Sequence, residues 1–134
     1  MKLVSTFLIG ATIVFIAINL YLFFTNKTYR KSTFSSALFL KLVLVMFSML
    51  VGFAVIYYLL SLQDLILVQS LSSMKPIEIT FLTLLYFSGE TLVSVGYGDM
   101  LPVGPARFFA ILESLLGILL PTAYFMKSLD LSKK

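Results

Sequence analysis

The sequence predicts an all-α membrane protein with three membrane-spanning helices and one short re-entrant helix. Three observations carry that expectation. Hydrophobic types make up 60% of the 134 residues and charged types only 12%, against about 45–50% and about 25% in soluble domains. Three apolar stretches reach the roughly 20 residues that a helix needs to cross a bilayer. A fourth is too short to cross and ends in a glycine-containing string. Mean hydropathy is +1.04. A water-soluble domain of this size could not bury so much apolar surface. Spans and connections use nearly every residue, leaving no room for a catalytic or nucleotide-binding domain, so no enzyme is expected.

The first apolar stretch is Leu3–Thr25, with one strongly polar residue, Asn19. It is longer than the roughly 7–15 apolar residues of a signal peptide, and no small-x-small cleavage site follows it. It is therefore read as a retained span. A basic loop with Lys27, Arg30 and Lys31 completes an N-terminal unit, residues 1–37. Residues 38–134 form the second unit. Its outer helix covers 38–62, with Lys41 able to snorkel to the interface and Tyr57 and Tyr58 placed for an aromatic belt. Residues 63–75 are ambiguous between a longer helix and a Ser-rich turn. Pro76 and Glu78 mark a helix start, and the short helix covers 77–93. The string 94–99 is not helical, and Pro102, Gly104 and Pro105 break the chain. The inner helix covers 106–128.

Charge sets the expected orientation. With the basic loop inside, seven cations lie inside (Lys27, Arg30, Lys31, Lys41, Lys127, Lys133, Lys134) and three outside (Lys2, Lys75, Arg107). The positive-inside rule then places the N-terminus outside and the C-terminus in the cytoplasm of a multi-pass cell-membrane protein. The net charge of +4 is read as this bias, and no nucleic-acid partner is expected. The chain has no cysteine and no histidine. Thiol chemistry and the side chain that titrates nearest neutral pH are both absent.

A short helix followed by irregular backbone between two spans is the pattern of a re-entrant loop. Such backbone is tolerated at membrane depth only where protein buries it or where it lines a watery cavity. One chain this small cannot enclose that cavity, but several copies around an axis can. A string whose carbonyls all face one axis needs backbone angles with positive φ, which glycine adopts freely. Gly96 and Gly98 stand where those angles are needed, and Val95 and Tyr97 then point away into packing.

Ser94-Val95-Gly96-Tyr97-Gly98-Asp99 resembles the selectivity filter of potassium channels, whose usual form is T-V-G-Y-G-D. The resemblance extends from Leu85 to Pro121. It is closest to bacterial channels built from an outer helix, a pore helix, a filter and an inner helix, and it covers about residues 38–128. The first span lies outside it. The resemblance implies a homotetramer, with potassium held by the carbonyls of Ser94, Val95, Gly96 and Tyr97 and by the Ser94 hydroxyl. Serine replaces the family's threonine at 94, which implies a looser innermost site and slightly weaker sodium rejection. Tyr86 and Phe87 are placed to pack behind the filter. Glu90 and Asp99 match positions where some bacterial channels carry a carboxylate pair, which would share a proton.

Two features of the inner helix stand out. Glu113 lies seven residues into the span, where an ionisable group is costly. It is about 140° around the helix from Ile118. It is therefore expected to face the pore helix or outer helix, protonated or hydrogen-bonded, in a structural or a gating role. Gly117 stands where the family often has a hinge glycine. Pro121 removes the helix bond to the Gly117 carbonyl, so a kink is expected there. The pore-facing row is then Ile118, Thr122 (or Pro121), Phe125 and Leu129, with Phe125 as a cytoplasmic constriction.

The sequence thus predicts a potassium-selective channel working with K+ ions, the lipid bilayer and three further copies of itself. No cofactor is expected; K+ is the permeant ion. A non-conducting or auxiliary subunit of a larger channel and a weakly selective cation channel remain open as alternatives. No repeat of Arg at every third position marks a voltage sensor.

Overall fold

The computed structural model describes residues 35–131 and, nearer the N-terminus, residues 14, 15, 17–19, 21, 22 and 25. The chain divides into two units, Met1–Ser35 and Ser36–Lys134. In the first unit the described residues before Ser35 are helical. Asn19 Nδ2 donates to the Phe15 carbonyl and Thr25 Oγ1 to that of Tyr21, each one turn back. Most of the expected first span, and the basic loop after it, lie outside the described residues.

The second unit runs α1 (Ser36–Ser61), β1 (Leu67–Val68), α2 (Phe81–Leu92), β2 (Leu101–Pro102) and α3 (Ala106–Leu131). Among the described residues two helices are long and apolar enough to cross a membrane, Ser36–Ser61 and Ala106–Asp130. Lys41 is the single charge in α1. Pro121 sits inside α3, which stays helical through it. Beside it, Thr122 Oγ1 donates to the Ile118 carbonyl at 2.8 Å; the carbonyl that loses its helix bond to the proline is that of Gly117, four residues back.

The short helix starts later than the expected residue 77. Pro76 instead bridges Val68, and the Ile77 N–H donates to the Leu67 carbonyl. Residues 77–80 are thereby held outside the helix. Thr80 caps α2, its hydroxyl accepting from the Thr83 N–H at 3.1 Å. The ambiguous stretch after α1 holds β1, which pairs antiparallel with β2 in the register Leu67 with Pro102 and Val68 with Leu101. This small sheet ties the segment before α2 to the segment before α3.

All three helices pack on one another. Their core joins Phe53 and Tyr57 of α1, Ile66 and Leu67, Leu84 and Phe87 of α2, and Ala106 and Ala110 of α3. Tyr57 is fully buried, edge-on to Phe87 with ring centroids 5.1 Å apart. This corrects its expected place in an aromatic belt. It lies on the face of α1 that meets α2, whereas Tyr58 is turned about 100° away and is exposed. Much of the remaining apolar surface, including Leu44, Phe47, Ile111 and Leu119, is also exposed. Bare apolar faces of this extent mark contact with lipid or with other protein.

Candidate functional site

The site is built from the C-terminal end of α2 outward. The last carbonyls of a helix lack intrahelical partners. In this chain the following string supplies them. The Val93 N–H donates to the Gly89 carbonyl at 3.2 Å and the Ser94 N–H to Thr91 at 3.0 Å. The N–H groups of Val95 and Gly96 both donate to Glu90, at 2.9 and 3.4 Å. The Tyr97 N–H is directed at the Glu90 carboxyl.

This pattern fixes where the carbonyls go. In a planar trans peptide, the N–H of one residue and the C=O of the residue before it point in opposite directions. The described chain has no cis peptide. Three consecutive N–H groups, at 95, 96 and 97, turn toward α2. The carbonyls of Ser94, Val95 and Gly96 must therefore turn away from it, in succession and to one side. The dihedrals agree, with φ of +56° at Ser94, +57° at Gly96 and +79° at Gly98. Alternating handedness of this kind aligns successive peptide groups toward one side. Glycine takes these angles at no steric cost. Serine does not, at a cost of roughly 1–2 kcal/mol, and strain of this order is typical of functional sites.

The string from Val93 to Asp99 is exposed in the single chain. Val95 and Tyr97 do not find within one chain all the packing expected of them. Tyr97 stacks on Tyr86, with ring centroids 6.3 Å apart and planes within 8°. Tyr86 thus braces the string, whereas Phe87 belongs to the core against Tyr57. Glu90 is buried, and the Asp99 side chain reaches it. Burial first, and the Asp99 charge second, push the Glu90 carboxyl above its usual range. Glu90 lies outside both membrane-spanning helices, and its Oε2 has no hydrogen-bond partner.

The inner helix meets α2 along one face. Ala106, Ala110, Glu113 and Gly117 follow at helical spacing, with Ser114 beside them. Ser114 Oγ donates to the Thr91 carbonyl at 3.1 Å. A Cβ on Gly117 would lie 1.7 Å from the Leu92 carbonyl oxygen. The absent side chain at 117 is thus what permits the two backbones to approach, and α3 is helical on both sides of it. Glu113 is fully buried. The Tyr57 hydroxyl donates to its Oε2 at 2.7 Å, and Ser88 Oγ lies 2.5 Å from its Oε1. Ile118, Phe125 and Leu129 are exposed on another face of α3, and Thr122 bonds back to its own helix.

Tyr57, Ser88 and Ser114 were not singled out by sequence as site residues. A stripe of small residues at 106, 110, 114 and 117, the kind that lets membrane helices approach closely, is the signal that points to Ser114. A hydroxyl in the otherwise apolar turn of α2 points to Ser88.

Residues 44–131 match a family model described as ion channel. A protein called Protein LctB from Geobacillus stearothermophilus is 46% identical over 76 residues. Its namesake from Bacillus caldotenax is 42% identical over the same length. Each match covers 55% of this chain and 57% of the relative, so the chain spans little more than half the length of these relatives. No solved structure matches the chain.

Proposed function

The chain belongs to the ion channel family, and from that premise we propose that it is a potassium-selective channel in which four copies each bring one filter string to a common axis. The observation that supports this most is the run of carbonyls at Ser94, Val95 and Gly96, turned together away from α2 by the N–H bonds behind them. Potassium crosses a membrane only if something replaces its hydration shell, and rings of such carbonyls from four chains do so. Tyr97 supplies a further carbonyl and Gly98 the last turn of the string. The Ser94 hydroxyl closes the inner end.

Two further features fit the proposal. The C-terminal end of α2 carries partial negative charge, and four such ends around one axis favour a cation on the inner side of the filter. The exposed side chains of Val95 and Tyr97 give neighbouring copies apolar surface to cover. In the assembly Ile118, Pro121, Thr122 and Phe125 line the inner pore, with Phe125 as its cytoplasmic constriction and Gly117 at the level where α3 leaves the filter. The N-terminus lies outside the cell membrane and the C-terminus in the cytoplasm.

The test is single-channel recording from purified protein in bilayers, with potassium and sodium on opposite sides. Potassium and rubidium current with strong exclusion of sodium is expected. Equal sodium and potassium currents refute the selectivity, and no current from correctly folded protein refutes conduction.

A further inference from the structure

Glu113, Tyr57 and Ser88 have no part in the proposed conduction path, yet they join all three helices at one fully buried point. Counting hydrogens there bears on a protonation state. Ser88 Oγ makes two contacts, 2.8 Å to the Leu50 carbonyl oxygen and 2.5 Å to Glu113 Oε1. A hydroxyl has one hydrogen to donate and can accept others. A backbone carbonyl has none, so the Ser88 hydrogen must go to Leu50. The Tyr57 hydrogen goes to Glu113 Oε2. The Ser88–Glu113 contact still needs a hydrogen, and Glu113 is the one remaining group that can carry it. Were Glu113 ionised, three contacts would share two hydrogens, and two oxygen acceptors would face each other at hydrogen-bond distance.

We infer that Glu113 is kept as a neutral carboxylic acid that donates its proton to Ser88, and that this proton holds the inner helix in register on α1 and α2. The surroundings agree. The charged groups of the three helices are Lys41 on α1, Glu90 on α2, and Arg107, Lys127 and Asp130 on α3. None of them forms a hydrogen bond or ion pair with Glu113 among the described residues. The short strand β2 carries no titratable group. An ionised carboxylate there would be a buried charge without a counter-charge, which proteins avoid by neutralising the group. As an acid, Glu113 has a partner for each oxygen, accepting from α1 and donating to α2. The inference is independent of which ion the channel conducts.

Infrared difference spectroscopy of the protein in bilayers at neutral pH tests it directly. Native minus Glu113→Gln should show the C=O stretch of a protonated carboxyl, above the amide bands and shifted in heavy water. Glu90 is common to both proteins and cancels. Loss of carboxylate bands instead would overturn the inference. Glutamine can reproduce both bonds, its amide N–H donating to Ser88 and its oxygen accepting from Tyr57. Its melting midpoint should therefore match the native one at neutral pH and exceed it under alkaline conditions that strip the native proton. Glu113→Ala should melt lower at every pH. A Glu113→Gln protein as unstable as Glu113→Ala would also refute the neutral acid. Should Glu113→Gln fail to fold, Ser88→Ala serves in its place. It should shift the carboxyl band by removing its acceptor, and the absence of any carboxyl band to shift counts against the inference.

Discussion

Replacing Gly117 with alanine sets two effects of opposite sign against each other. In a helix interior alanine is better than glycine by about 0.8–1 kcal/mol. On propensity alone the variant should be the more stable protein. The structure opposes this. The new Cβ would lie 1.7 Å from the Leu92 oxygen, 2.7 Å from its carbonyl carbon and 3.3 Å from its Cα. All three are backbone atoms, so no side-chain rotation relieves the contact. The helices would have to separate by more than an ångström, against the Ser114 bond to Thr91 and the buried Glu113 contacts. Forced overpacking of this kind costs typically about 1–3 kcal/mol and occasionally more. With several backbone contacts involved, the upper part of that range applies, and we expect a net loss of about 2 kcal/mol. Unfolding of purified native and variant protein by denaturing detergent measures it. Leu92 immediately precedes the string, so the displacement should also reach the Ser94 carbonyl and lower the potassium-to-sodium permeability ratio. A hinge role alone predicts the opposite pattern, with stability kept or raised, selectivity kept and opening reduced. A Gly117→Ala protein as stable as the native one would refute the close-approach reasoning.

Four other outcomes are expected. Gly96→Ala should abolish potassium flux into liposomes. No atom lies within 4 Å of the added Cβ, so the cause is the φ of +57°, which costs an L side chain roughly 1–2 kcal/mol in each chain. Tyr57→Phe should destabilise by about 1–3 kcal/mol in detergent unfolding, because Glu113 Oε2 loses its donor while staying buried. Glu90→Gln should flatten the pH dependence of stability. A carboxyl held above its ordinary value of about 4.3 binds its proton more tightly folded than unfolded. Its contribution is complete below that value and is lost as pH rises through the folded value, so melting midpoints of native protein should fall with rising pH more steeply than those of the variant. A protease-sensitive tag at Met1 should be cut from outside intact cells and one after Lys134 should not; the reverse would overturn the orientation.

What the sequence made readable follows from the kind of information each feature needs. The outer and inner helices are apolar over span length, and length with composition suffices to find them. Gly96 and Gly98 announce positive φ because no other residue adopts it so freely. Ser94 gives no such sign, and its φ of +56° emerges only from the bonds that pull the next N–H groups toward Glu90. The start of α2 is not legible locally, because Pro76 and Glu78 mimic a first turn while the helix begins at Phe81. A strand partner holds Pro76 instead, and strand pairing is a long-range fact. Tyr57 shows the same limit. Near the end of a span, an aromatic residue suits a belt and a buried contact equally well, and only the facing helix decides. Gly117 beside Pro121 suggested a hinge, since a local reading knows nothing of the backbone that presses on it.

The end of α2 is where these separate features become one device. A helix normally leaves its last four carbonyls to solvent or to caps. Here the Gly89 carbonyl takes the Val93 N–H, and Glu90 takes the N–H groups of Val95 and Gly96. Thr91 takes both the Ser94 N–H and the Ser114 hydroxyl of α3. The Leu92 carbonyl abuts Gly117. The same few carbonyls therefore shape the string and seat the inner helix. Neither can shift by an ångström without straining bonds that belong to the other. One turn above Gly117, the Glu113 contact to Ser88 ties the inner helix to the middle of α2. A channel gated by its inner helix would in this chain bend below that anchor, toward Pro121, since the part of α3 above it is tied to α2 and to the end from which the string leaves.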